Sequence, residues 1–265
     1  MPPVWARLLL LVWGLLLSHT SLAESWPLAV PLEEEPQPVL AIVLDDVGYD
    51  GRAGERALAL SPPITLAFLP HTPHAPRLAQ QARQQGHGVL LHAPMANQHA
   101  YPLGPGALTP ELSKAELQQR LRRALDSLPA VDGVNNHMGS LLTAQAQPMQ
   151  WVMEVLAERR LLFLDSRTTA ATVAAASAER QGLPWLRRDV FLDNEEDERH
   201  IRQQLQLAID LAKRQGYAVA IGHPYSSTLR VLEQELPKLD AQGIRRMGVL
   251  QLQRWLSTPT EPQIP

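Results

Sequence analysis

From residue 39 onward the chain alternates short, wholly apolar runs with amphipathic stretches. That alternation limits the folds open to it more than any other feature. Residues 39–45 (Val-Leu-Ala-Ile-Val-Leu-Asp) hold no polar side chain before the last position, as expected of a strand covered on both faces. Residues 64–69, 89–92, 133–136, 161–165, 217–222 and 247–250 read as further strands. Between them, residues 77–85, 111–128, 147–160 and 229–242 carry helical periodicity. Thr109-Pro110 supplies an N-cap and first helical residue for the second of these. Asp193 opens another helix, with Glu195, Glu196 and Asp197 in its first turn, where acids suit the helix dipole. Strands separated by helices pair in parallel through right-handed crossovers. Seven or eight such units predict an α/β fold closed or nearly closed into a barrel, with an open doubly wound sheet as the other solution.

Composition narrows the chemistry. Net charge is −3, with no basic excess for a nucleic-acid partner. Cysteine is absent, which removes disulfides, thiolate metal sites and a cysteine nucleophile. A metal in this chain is therefore held by histidine and carboxylate. Gly-x-Gly-x-x-Gly, phosphate-loop and Gly-x-Ser-x-Gly motifs are also absent, so no organic cofactor site is expected.

The N-terminus has the order of a secretory signal: Arg7, an apolar run over residues 8–17, then Ser21-Leu22-Ala23. Residues 1–23 are expected to be a cleavable signal peptide, since the run is short for a membrane span; an uncleaved anchor is the other reading. Residues 24–38, rich in Pro and Glu, form a spacer, residues 39–256 the folded domain, and residues 257–265 a flexible tail. The expected address is the periplasm.

Polar residues cluster just after the apolar runs: Asp45 and Asp46, His92, Asn135, Asn136 and His137, Asp165 and Arg167, and His223. In an α/β barrel these strand ends converge on one mouth, where active sites form. Adjacent Asp45 and Asp46 point to opposite sides of a strand unless the chain bends, and as a pair they also suit a turn before Gly48. His92 alone fits a core histidine as well as a ligand. The asparagines beside His137 suit it to ligation by fixing its tautomer, though Gly139 also allows a plain polar turn. Pro224 holds the backbone after His223 and suits a general acid there. His71, His74, His87, His99 and His200 are expected at the surface.

Six segments then resemble the divergent polysaccharide deacetylase family, a remote branch of the NodB-type carbohydrate esterases. They are residues 41–48 (Ala-Ile-Val-Leu-Asp-Asp-Val-Gly), 91–95 (Leu-His-Ala-Pro-Met), 133–140 (Gly-Val-Asn-Asn-His-Met-Gly-Ser), 163–168 (Phe-Leu-Asp-Ser-Arg-Thr), 188–194 (Arg-Asp-Val-Phe-Leu-Asp-Asn) and 220–224 (Ala-Ile-Gly-His-Pro). The resemblance implies a distorted (β/α) barrel of mostly parallel strands and a metal-dependent deacetylase, with zinc the first choice of divalent metal. It implies Asp45 as base, Asp46 and His92 as metal ligands and His223 as general acid. Asp165 or Arg167 would orient His223 or hold substrate, with Asn136 beside them. The family's His-x-x-x-His motif puts its second histidine at Ala96. The family's Arg-Pro-Tyr-type motif is not recognisable. His137, from the next strand end, would complete an Asp-His-His set instead. The implied substrate is an envelope glycan, peptidoglycan first. The competing readings are a non-catalytic envelope protein that binds glycan or a protein partner, and another metal-assisted hydrolysis such as peptide amide cleavage.

Overall fold

The computed structural model describes residues 37–129 and 131–258. The expected signal peptide, most of the spacer and residues 259–265 lie outside the described residues. In chain order the elements are β1 (Val39–Val47), α1 (Gly51–Leu58), β2 (Thr65–Phe68), α2 (Ala75–Gln84), β3 (Gly88–Met95), α3 (Lys114–Asp126) and β4 (Gly133–Met138). Then follow α4 (Ala146–Arg159), β5 (Leu162–Asp165), α5 (Ala174–Arg180), β6 (Trp185–Arg187), β7 (Val190–Phe191), α6 (Glu198–Gln215), β8 (Tyr217–Gly222), α7 (Ser226–Leu239), β9 (Arg245–Arg246) and α8 (Val249–Ser257).

The strands form one parallel sheet in the order β6-β5-β4-β3-β2-β1-β8-β7, with β9 against the start of β1. Its two edges are joined by residues 185–191. The first part of that segment pairs with β5 (Leu164 beside Leu186) and the last part with β8 (Val190 beside Ala220). At the handover Arg188 N–H donates to the Asp165 carbonyl and Asp189 N–H to the Val219 carbonyl, both at 2.9 Å. The curl is closed by one extended segment that changes partners, not by a ladder between β6 and β7. The result is a distorted (β/α) barrel, and the open doubly wound alternative is set aside.

The period of two in each strand sorts side chains into two cores. Leu40, Ile42 and Leu44 of β1 face the helices in the outer core. Val39, Ala41 and Val43 face inward with Leu90, Leu162, Leu164, Val219 and Ile221. Each fully buried Val, Leu or Ile among these contributes about 1.5–3 kcal/mol. The inner core is completed by Val249, Leu252 and Trp255 of α8. That helix starts at the strands' N-terminal ends, where Val249 N–H donates to Thr65 Oγ1 at 3.1 Å. The barrel is thus stoppered below and polar above.

Several expected boundaries move. Residues 247–250 are not a strand: β9 ends at Arg246, and Gly248 begins the turn into α8. The helix placed at 111–128 starts at Lys114, because Ser113 and Glu116 form a reciprocal capping box that fixes the start there. Asp193 does not open α6. Asp197 caps it, accepting from Arg199 and His200 N–H. Helices α1 and α5 and strands β6 and β7, of 8, 7, 3 and 2 residues, are too short to be read from the sequence.

Candidate metal centre

The inward alternation that builds the inner core runs on into the mouth. After Val43 comes Asp45, after Leu90 comes His92, after Gly133 come Asn135 and His137, and after Ile221 comes His223. Strand register sets His92 beside Asn135 and Pro94 beside His137. The apolar steps drive burial, and the polar groups are carried in with them.

Asp46 needs a separate cause, since it follows an inward-facing residue. Between Leu44 and Val47 the register of β1 against β2 slips, and Asp46 adopts φ 58°, in the left-handed region. A bulge of this kind re-aims a side chain beside a site. It turns Asp46 toward the same mouth as Asp45, at a conformational cost of order 1–3 kcal/mol that the surrounding sheet must offset. Gly48 completes the turn, with φ 136° and no room for a Cβ, which would lie 2.1 Å from Thr72 Oγ1.

Three ligand-type atoms meet here. His137 Nδ1 is 2.8 Å and His92 Nε2 3.1 Å from Asp46 Oδ1, and the two ring nitrogens are 3.2 Å apart. Asp46 Oδ1 is buried, yet no donor is aimed at it with hydrogen-bond geometry. An orphaned carboxylate oxygen between two imidazole nitrogens is expensive unless a cation satisfies it. A triangle of this size has all three corners within about 2.0–2.2 Å of a common point just off its plane, the distance at which zinc takes His and Asp ligands. The residues present fit a divalent metal. The rings of His92 and His137 meet edge to face, 5.0 Å between centroids.

Asn135 decides which nitrogen of His92 is presented. Its Nδ2 donates to Asp45 Oδ1 at 2.8 Å, and its Oδ1 lies 2.8 Å from His92 Nδ1. An ionised Asp45 only accepts, so the amide nitrogen faces Asp45 and the amide oxygen faces His92. His92 Nδ1 therefore carries the proton and Nε2 offers its lone pair to the centre, the arrangement ligating histidines use. Burial raises the Asp45 carboxyl above its usual range, against the opposing effect of His92. Asn136 faces the other way. It joins β4 to β5, accepting from Ser166 N–H and donating to the Met138 carbonyl.

His223 is anchored from an element whose role the sequence did not reveal. Asp193, wholly buried, accepts from His223 backbone N–H at 2.6 Å and from Thr228 Oγ1 at 2.7 Å. Its Oδ1 lies 3.0 Å from His223 Nδ1, which leaves Nε2 toward the centre, 3.8 Å from Asp46 Oδ2. Burial alone would lower the His223 pKa. The Asp193 hydrogen bond and charge outweigh it and push the imidazole up to about 9. Gly222 makes the approach possible, since a Cβ there would sit 3.0 Å from Asp193 Oδ2.

The remaining expected residues are placed otherwise. Asp165 does not orient His223; it accepts from Arg167 N–H and Thr172 Oγ1 and staples its own loop. Arg167 is exposed, with φ 49°. Beside it, Arg188 donates to the Ser166 and Arg167 carbonyls and lies 4.9 Å from the Phe191 ring centroid. Ala96 belongs to the outer core. Its carbonyl accepts from both Leu141 and Leu142 N–H, so that position does not serve the centre. His87 is not at the surface: it is buried at the foot of β3 with Nε2 3.1 Å from the Leu58 carbonyl. The one cue to Asp193 in the sequence is the short apolar run of residues 190–192 immediately before it.

Comparison with known proteins agrees with this fold. Residues 42–252 match the family model described as divergent polysaccharide deacetylase. The chain is 41% identical over 229 residues to the Escherichia coli (strain K12) uncharacterized protein YibQ, covering 85% of this chain and 72% of that one. The crystal structure of uncharacterized protein ATU2773 from Agrobacterium tumefaciens C58 superposes with a TM-score of 0.79 at 27% identity, covering 84% and 92% of the two chains. Wild-type BA3943, a CE4 family pseudoenzyme from Bacillus anthracis, shares the fold at a TM-score of 0.50 and 13% identity, over 83% of this chain and 66% of that one. With its parallel barrel and a family match spanning most of its length, the chain belongs to the divergent polysaccharide deacetylase family.

Proposed function

We propose that this protein is a metal-dependent hydrolase of the deacetylase type, acting on an acylated envelope glycan. The observation that carries the reading is the convergence of Asp46 Oδ1, His92 Nε2 and His137 Nδ1 on one point, with Asp45 and His223 flanking it. Asp46, His92 and His137 hold a divalent cation, with zinc the first candidate. Bound there, it supplies Lewis acidity and lowers the pKa of water. Asp45, buried and raised, accepts the proton from the attacking water. Asn135 keeps the Asp45 carboxylate in place while holding the His92 tautomer. His223, protonated at neutral pH, delivers its Nε2 proton to the departing nitrogen or oxygen. Asp193 sets its orientation.

The address proposed is the periplasm, on the strength of residues 1–23. The substrate class rests on family membership and is tested as such. Elemental analysis of the purified domain, beside a His92→Ala/His137→Ala variant, reads the metal. Release of acetate from acetylated peptidoglycan and chitooligosaccharides then reads the activity. Stoichiometric metal lost in the variant, with acetate release by the parent, supports the reading. No metal after zinc addition sinks it.

A second reading, a binding protein that has lost catalysis, is favoured by Ala96 and by the pseudoenzyme among proteins of this fold. It predicts retained metal and glycan affinity without turnover.

A further inference from the structure

The mouth is asymmetric. On the β1–β4 side a cleft of about 290 Å³ opens from His137, walled by Tyr49, Leu69, Pro70, Pro94, Pro102 and Leu103. On the far side stand His223, Arg188 and Phe191. The cleft wall is mostly apolar: Pro70, Pro94, Pro102 and Pro105 make up much of it with Leu69 and Leu103, and the Tyr49 hydroxyl and the His137 ring are its polar side-chain groups. Proline brings no N–H, and Leu69 N–H is already spent on the Val47 carbonyl at 3.0 Å. A polyhydroxylated sugar ring seated here would give up water with little to replace it. A hydrocarbon would gain from the same walls.

The volume matters as well. A cleft of this size holds on the order of ten water-sized groups at about 30 Å³ each, whereas an acetyl group brings a single methyl. His223 fixes the direction. The leaving group must reach its Nε2, so the substituent on the other side of the carbonyl carbon points away from β8, toward His137 and the cleft.

We infer that the cleft receives an unbranched apolar acyl chain longer than acetyl, attached to the carbonyl that is hydrolysed, while the rest of the substrate leaves toward His223. The inference rests on the proposed hydrolytic reading of the site. In the step, water adds its oxygen to the carbonyl carbon and the C–N or C–O bond breaks. The leaving heteroatom takes the His223 proton, and the products are a carboxylate and an amine or alcohol.

Calorimetric binding of acetohydroxamate, butyrohydroxamate and hexanohydroxamate to the zinc-loaded protein tests this without turnover, because a hydroxamate anchors on a metal and projects its acyl chain. Affinity is expected to rise about three- to fourfold per added methylene. Leu103→Trp, which fills the cleft, should abolish that gain and leave acetohydroxamate within twofold. Tyr49→Ala, at an exposed wall, should weaken the gain without touching the core. Equal or falling affinity with chain length overturns the inference and leaves the hydrolase reading intact. Failure of every hydroxamate to bind sinks the reading of the site, and the inference with it.

Discussion

Asp193 grips His223 at two points, its backbone N–H at 2.6 Å and its ring Nδ1 at 3.0 Å. The position of the imidazole, and the largest part of what keeps it charged, thus come from one carboxylate just beyond the segment that closes the barrel, with Asp46 and Asp45 adding to the charge effect. Asp193→Asn keeps the size of the group and removes its charge. The His223 pKa, pushed up to about 9, should then fall toward its ordinary value of ~6.5. A general acid works only when protonated, so the basic limb of the pH–rate profile should move down by roughly two units. NMR titration of the His223 ring reads the same shift without turnover. Because the folded pKa is raised, this pair's contribution to stability is complete below about pH 6.5 and is lost as pH rises through about 9.

Asn135 bridges two groups that would otherwise be buried without partners, Asp45 and His92 Nδ1. Asn135→Ala should destabilise the fold by about 1–3 kcal/mol, the cost of stranding buried polar groups. It should also weaken metal binding by about 10–100-fold through loss of the His92 tautomer. Urea denaturation of the metal-free protein reads the first effect, and competitive chelator titration the second. Unchanged metal affinity would show that His92 needs no help from Asn135.

Zinc should raise the thermal midpoint. At a free concentration about 100 times Kd, a ligand of the native state adds about 2.7 kcal/mol. For a domain of this size that is an increase of roughly 5–10 °C. A chelator should reverse it. His92→Ala and His137→Ala should each remove the response, while His200→Ala, on α6 and outside the centre, should keep it.

Gly222→Ala places a Cβ 3.0 Å from Asp193 Oδ2 and 3.2 Å from Leu192 Cβ. The strand must shift or the carboxylate must withdraw, and the expected loss is about 1–3 kcal/mol. The informative comparison is the His223 titration. A downward shift beside the stability loss shows that the carboxylate withdrew, and stability loss alone shows that the strand moved.

Much of this was legible in the residues. Wholly apolar runs marked β1 and β8, and the polar residue at the end of each run marked the mouth, because the same alternation that buries Val43 and Ile221 presents Asp45 and His223. What failed was local. Asp193 read as a helix start because acids follow it. Only tertiary pairing shows that residues 185–191 serve two strands in turn and carry Asp193 beneath His223. Asn136 read as a site residue beside His137, but it is Asn135 that shares the inward face of β4. The strand phase decides this, and the phase was uncertain by one residue. The rotation of Asp46 depends on a bulge that no composition signals.

The stopper at the foot of the barrel sets an order of events. Val249, Leu252 and Trp255 come from α8, the last helix described, and the inner core against which Val43 and Ile221 pack is incomplete without them. A nascent or truncated chain lacking that helix can pair its strands, yet it keeps an open, wettable bore beneath the metal ligands. Assembly of the centre is therefore tied to the arrival of residues remote from it in both sequence and space. A lesion in the last turns of α8 would be read out at the mouth as loose histidines.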